Sequence, residues 1–194
     1  MPDHADYPVA ALTPTRWADF EALFGPNGAC GGCWCMWWRQ TRREFESKHG
    51  DANRRAYKAI VRAGPPPGLI AYHEGRPVGW CQVCPRADLP VLDRSPLLKR
   101  VDEAPVWSLS CFYIKPGHRR AGLSGVLIEA AKDHARRWGA EILEAYPWDA
   151  RQKKSSGTIF TGVASTFQRH GFTTAARRAA RRPVMRCDLT APGH

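Results

Sequence analysis

A chain of 194 residues, 43% of them hydrophobic and 24% charged, has the make-up of a globular protein with enough apolar side chains for a core without cross-links. Its net charge of +11 favours an anionic partner, whether nucleic acid, an acidic surface or a phosphate-bearing cofactor. No apolar run nears the roughly 20 residues of a membrane span, while the odd count of seven cysteines and the lack of a basic, apolar leader fit reduced thiols in a cytoplasmic protein.

The first predicted element is a helix opening at Thr13 and Pro14, a capping hydroxyl followed by a first-turn proline. Trp17, Phe20, Leu23 and Phe24 share one face, and the run from Gly25 to Gly28 ends the helix. Ala29 to Arg39 has the oddest composition of the chain, with Cys30, Cys33 and Cys35 interleaved with Trp34, Trp37 and Trp38. Thr41 to Arg62 is charged and helix-favouring, with a break at His49 and Gly50. Leu69 to His73 and Val78 to Val83 read as antiparallel strands around a turn from Glu74 to Pro77. Pro85 to Pro105 is irregular and long enough to be a functional loop, with a short helix expected near Leu97 to Arg100.

The rest of the chain is arranged around Val106 to Trp138. Val106 to Ile114 is rich in β-branched and aromatic residues, which predicts a strand buried on both faces, stopped by Pro116 and Gly117. Val126, Leu127, Ala130, Ala131, His134 and Trp138 then recur at three- and four-residue spacing, the stripe of a helix lying on a sheet. Between them runs a basic, glycine-bearing turn from His118 to Gly125. A strand feeding such a turn aims unpaired N–H groups from the positive end of the helix dipole, which makes an anion site whose usual guest is phosphate. Glu141 to Tyr146 reads as a further strand, Trp148 to Thr158 as a polar loop carrying Lys153 and Lys154, and Gly162 to His170 as a short helix. Two last strands, Phe172 to Ala176 and Val184 to Leu189, flank a basic turn. Hairpin strands followed by strands alternating with helices give a mixed sheet covered by helices.

The run from Ile114 to Ile128 resembles the acetyl-CoA signature of the GNAT family of N-acetyltransferases, Arg/Gln-x-x-Gly-x-Gly/Ala between a strand and a helix. Arg119 and Gly122 match, and Ser124 stands at the last small position with Gly125 beside it. The hairpin with Pro77, Val78 and Gly79 looks like the family's second and third strands. Ala164 to Phe172 is similar to its later Ala-x-x-x-Tyr-x-x-x-Gly-Phe element. The resemblance implies an α/β acyl-CoA N-acyltransferase fold with a mixed, mostly antiparallel central sheet flanked by helices. It implies one domain over residues 1–194, with a helical arm at about 13–62 and a core at about 68–190. It implies acetyl-CoA as donor, its pyrophosphate held by the turn through Arg120, Ala121, Gly122, Leu123, Ser124 and Gly125. Arg119 and Arg120 add charge, and Phe112, Tyr113 and Ile114 bond the pantetheine arm through their backbone. The central strand should part from its neighbour near Tyr146 to admit that arm.

The activity so implied is direct transfer of acetyl to the amine of a small molecule. A protein N-terminus or lysine is the alternative acceptor, and a non-catalytic acyl-CoA-sensing or nucleic-acid-binding module is the alternative class. Transfer needs a neutral amine, an aimed attack and a proton for the leaving thiolate. The family's tyrosine acid falls on Phe167, which has no proton to give, so Tyr146 is the substitute, with packing as its competing role. The central strand carries no carboxylate, and Glu103 and Asp149 are the base candidates kept, with Asp102 and His73 behind them. Trp34, Trp37 and Trp38, with Tyr146, are expected to wall the acceptor site, core packing being the competing reading for the tryptophans. The cysteines invite a zinc reading with Cys81 and Cys84. Residues three apart on a strand face opposite sides, however, and cysteine often packs as a small hydrophobe, so no metal is expected. Cys111 reads as packing. Arg177, Arg178, Arg181 and Arg182, with Lys153 and Lys154, are read as a solvated turn that also steers the anionic cofactor. The partners expected are a small-molecule amine and no membrane, with nucleic acid only a runner-up and a homodimer left open.

Overall fold

A computed structural model of the chain describes residues 6–149 and 160–190. Among them seven strands form one sheet: β1 (Val9–Ala11), β2 (Gly68–His73), β3 (Arg76–Pro85), β4 (Trp107–Ile114), β5 (Ile142–Ala145), β6 (Thr173–Arg177) and β7 (Pro183–Asp188). They lie in the order β1-β2-β3-β4-β5-β7-β6. Every neighbouring pair is antiparallel except β4 and β5, which run parallel and are joined through helix α5 (Leu123–Arg137). A parallel pair needs such a crossover, and a helix laid on the sheet supplies it.

Alternation along the strands sorts the core. Leu69 and Ala71 of β2, Cys81 and Val83 of β3 and Leu109 of β4 point to one face, where α5 buries Leu123, Val126, Leu127 and Ala131 against them. Ile70 and Trp80 point to the other, covered by Phe20 of helix α1 (Trp17–Phe24), Trp34 of the connection that follows it, Phe45 of α2 (Arg42–Lys48), and Tyr57 and Val61 of α3 (Asp51–Ala63). The predicted break at His49 and Gly50 separates α2 from α3. Thr41 and Glu44 close a capping box at the start of α2. A third apolar cluster joins Trp38, Leu89, Leu92, Leu98, Tyr146 and Val184 beside the short helix α4 (Pro90–Arg94).

Several boundaries differ from the sequence expectation. The first helix begins as a 3-10 turn over Pro14–Arg16, and the Thr13 hydroxyl meets that of Thr15 at 2.8 Å instead of capping the helix. The short helix of the long loop lies at Pro90–Arg94, with Pro90 in its first turn, and not at 97–100, where the carbonyls of Leu97, Lys99 and Arg100 are bonded by the Arg178 guanidinium. The late helix, α6, is confined to Ala164–Arg169. Strand β1 has three residues, too few to mark a period in the sequence. The central strand is enclosed only in its first half: Trp107 to Ser110 are buried, whereas Cys111 to Ile114 are partly open. Its neighbour explains that change.

Candidate functional site

Strands β4 and β5 pair at Trp107–Leu143, Ser108–Glu144 and Leu109–Ala145, and there the pairing stops. Pro147 lacks the N–H that would extend the ladder, and β5 ends while β4 continues to Ile114. The parting next to Tyr146 is the one the family resemblance led us to expect. A register shift between Gln82 and Val83 leaves Ser110 as the extra residue of a bulge in β4. Beyond it, Ser110, Phe112 and Ile114 turn their backbone groups toward the split. Ser110 O accepts the Trp38 indole N–H at 3.1 Å, Phe112 N–H donates to Phe160 O at 2.6 Å, and Ile114 O accepts Arg119 Nε–H at 2.9 Å.

This alternation corrects one expectation. Tyr113 pairs with Trp80 of β3, and the Phe112 N–H to one side and the Lys115 N–H bound to Val78 O on the other fix its backbone toward β3. Tyr113 therefore offers no backbone group to the split; its ring packs 5.6 Å from that of Phe24. Ser110, absent from the sequence assignment, takes its place on the edge. Only the register, which depends on the bulge, reveals this.

At the far end of that edge the chain turns through Pro116–His118 and enters α5. Arg120 has φ 64° and Gly122 φ 77°, both left-handed, and Gly122 is the N-cap of α5 with no side-chain cap. Left-handed residues are the kind that curl successive N–H groups toward one side, and the first turn of α5 adds those of Leu123 and Ser124, the Gly125 N–H being bonded to Gly122 O at 2.8 Å. Arg119, Arg120, Ala121 and Gly122 are exposed, Ser124 is half-buried, and Leu123 and Gly125 are buried beneath them. A side chain on Gly125 would place its Cβ 2.7 Å from Nε2 of His170, so this turn of α5 is kept small by the residue that ends α6. His73 lies with Tyr7 and His118, its ring 5.1 Å and 5.2 Å from theirs, on the β2 side of the sheet and away from the split.

The sequence-proposed acid and bases are not brought together. Tyr146 is fully buried, its hydroxyl 2.6 Å from Ser108 Oγ, receiving a bond from Arg86 Nη1 at 2.8 Å and donating to Glu144 Oε1 at 2.8 Å. Burial, reinforced by the Glu144 charge, holds its pKa well above the ordinary tyrosine value despite Arg86. Glu144 is itself gripped by Arg86 at 2.6 Å and by Arg186 at 2.8 Å, and Arg186 reaches Asp102 at 2.6 Å. Arg86 also holds Asp93 at 2.7 Å and Leu98 O at 2.8 Å. Glu103 is exposed in the bend before β4, beside Asp102. Asp149 forms an ion pair with Arg177 at 3.3 Å. Phe167, at the family's tyrosine position, packs 6.0 Å from Phe112 and 5.0 Å from Phe172. Arg86 and Glu144 escaped the sequence reading, although a lone carboxylate within the apolar run from Ile142 to Ala145 was a signal of a buried partner.

The tryptophans separate. Trp34 is buried in the helical arm with its ring 5.6 Å from Phe24 and 6.0 Å from Phe20, and packs there as core. Its φ of 43° turns it inward. Trp38 borders the split, its ring 6.0 Å from Phe160. Trp37 is 42% exposed and edges onto Phe45 at 5.1 Å. Cys81 faces α5 and Cys84 the third cluster. Among the described residues no group of His, Cys, Asp and Glu is placed to hold a metal ion. The basic turn is largely engaged within the fold: Arg177 with Asp149, Arg178 with three carbonyls, and Arg182 with Thr161 Oγ1 at 2.9 Å and over the Trp148 ring at 4.5 Å. Lys153 and Lys154 lie outside the described residues.

Residues 34–154, more than half of the chain, match the family model described as the acetyltransferase (GNAT) family. The chain belongs to the GNAT family. The signature run that first suggested it falls inside the matched region. Among solved structures, the GNAT fold recurs in yncA of Salmonella typhimurium, solved with its cofactor acetyl-CoA, which is 17% identical. That match covers 97% of each chain with a TM-score of 0.55. A GNAT-family acetyltransferase from Listeria monocytogenes 4b F2365 is 12% identical over 94% of each chain, with a TM-score of 0.56. A chain of the NatC complex bound to Gag peptide and CoA is 11% identical, with a TM-score of 0.54 over 94% of this chain and 98% of that one. No curated protein sequence matches the chain. At these identities the likeness is one of fold. The GNAT sheet, mostly antiparallel with one parallel pair at its centre, is the fold anticipated from the sequence. No helix among the described residues is long and apolar enough to cross a membrane.

Proposed function

We propose that this GNAT protein transfers acetyl from acetyl-CoA directly to the amine of a small molecule. The observation that carries the reading is the parting of β4 from β5 after Leu109 and Ala145, with the turn from Arg119 to Gly125 at the end of the freed edge. In this reading the amides of that turn hold the pyrophosphate, and Gly122, with no Cβ, lets its oxygens approach the backbone. The pantetheine arm runs along Ser110, Phe112 and Ile114 as a short added strand. The Phe112 N–H, bonded to Phe160 O in this conformation, exchanges that partner for the cofactor. An N–H fixed on a strand is preorganised to polarise the thioester carbonyl.

The small acceptor is supported by how its end of the split is roofed. Trp38 O receives Val91 N–H at 3.2 Å, and Arg39 Nη1 donates to Asp88 O at 3.2 Å, so the Cys/Trp connection and the α4 loop are tied together where Trp38 borders it. A polypeptide needs an open groove in that place. Tyr146 acts here as a positioning residue, because its proton already serves Glu144, and the thiolate takes its proton from solvent. Glu103 and Asp149 remain base candidates through water. Release of CoA thiol from acetyl-CoA, followed with a panel of primary amines and lysine-bearing peptides, tests the reading. Release stimulated by one or more small amines is expected. Release with peptides alone, or with no acceptor of either kind, would overturn it.

A further inference from the structure

Acetyl transfer makes no use of the thiols that meet on the arm side of the sheet. Cys35 lies in the connection between α1 and α2 at φ 59°, a left-handed conformation that turns its side chain and carbonyl onto β3. Its Sγ accepts the Trp80 indole N–H at 2.9 Å, and its carbonyl accepts the Gln82 amide at 3.3 Å. Gln82 is the cross-strand partner of Cys111. Partners directly opposite each other project from the same face, so Cys111 reaches this spot from β4. There Cys111 packs against the same buried cluster that holds Cys35. Cys35 is buried, whereas Cys111 is only partly so. Cys81 and Cys187, by contrast, belong to the core on the α5 side of the sheet.

We propose that Cys111 and Cys35 are an oxidisable thiol pair, a modification site that closes to a disulfide with a hydroperoxide and pins the Cys/Trp connection onto β4. Cys111, the accessible member, attacks first. Its thiolate sulfur bonds one peroxide oxygen, the O–O bond breaks, and the other oxygen leaves as hydroxide, which takes up a proton to become water. The Cys35 sulfur then gives up its proton and attacks the Cys111 sulfur, the S–S bond forms, and the S–O bond breaks with loss of a second water. Two thiols and one hydrogen peroxide become one disulfide and two waters; the sulfurs lose two electrons and the peroxide oxygens gain them. Burial pushes the Cys35 thiol up and makes it a poor first nucleophile, which leaves the first attack to Cys111. Trp38, three residues after Cys35, bonds Ser110 O, next to Cys111, so the bridge fixes the connection where it borders the split. This effect on turnover rests on the acetyltransferase reading; the disulfide does not.

The test uses the full chain, exposed to hydrogen peroxide and then freed of it, with alkylation and mass mapping of thiols alongside CoA release. The expected result is a peptide linked through Cys35 and Cys111 together with loss of turnover, both reversed by dithiothreitol. Cys111→Ser should form no such link and keep its turnover after peroxide. A bridge lacking either residue, or both thiols still alkylatable, would sink the pair. Unchanged turnover in bridged protein, or equal loss in Cys111→Ser, would overturn the pinning. A bridge in a protein that releases no CoA under any condition counts against the proposed function alone.

Discussion

Tyr146 shows how a residue's environment decides between chemistry and support. Its hydroxyl lies among Arg86, Glu144 and Ser108 with no side open to solvent. Tyr146→Phe takes one acceptor from Arg86, which keeps Glu144, and leaves the buried Ser108 hydroxyl without the partner it bonds at 2.6 Å, at a cost of about 1–3 kcal/mol. A lowered melting temperature is expected, with the shape of the pH–rate profile unchanged; loss of an alkaline limb would instead make Tyr146 the acid. Local motifs were legible at this scale. Arg119, Gly122 and the positions between them could be read because a turn and a helix N-terminus are specified by neighbouring residues. The edge role of Ser110 and the burial of Trp34 could not. The first depends on a one-residue bulge against β3 and the second on a left-handed φ at a non-glycine residue.

Among the elements, α5 was the most readable, because its apolar stripe is continuous over four turns. It also carries a buried base. His134 packs with its ring 5.7 Å from that of Trp107 and donates from Nε2 to Pro66 O at 3.2 Å. Burial lowers its pKa below 6.5, and the Pro66 bond and Arg137 only adjust this. The depressed pKa fixes the sign. Above 6.5 the ring is neutral in folded and unfolded chains alike; below it the unfolded chain binds a proton that the folded one resists. Stability is therefore present above 6.5 and is lost as the pH falls from there to the folded value. Melting temperatures at about pH 7.5 and about pH 5.5 should differ less in His134→Gln than in the parent protein. An equal difference in both would assign the acid sensitivity elsewhere. The short elements were the hardest to place. The helix at Pro90–Arg94 and the end of β5 meet partners far along the chain, Trp38 and Pro183–Asp188 among them.

For the whole molecule, the order of strands and helices was enough to anticipate the mixed sheet, its helical cover and the split beside Tyr146. The acceptor was not legible, because the arm folds by tertiary contacts between Trp34, Phe20 and Trp80 rather than by any local period. The central claim is that the turn from Arg119 to Gly125 holds acetyl-CoA. Calorimetric titration of acetyl-CoA into the parent protein and into Gly122→Val tests it most directly. A β-branched residue at φ 77° strains the turn and crowds its amides. Saturable binding by the parent protein is expected, weakened at least about tenfold in the variant, roughly 1.4 kcal/mol. No binding by the parent, or equal affinity in a variant that melts as a folded protein, would contradict the assignment.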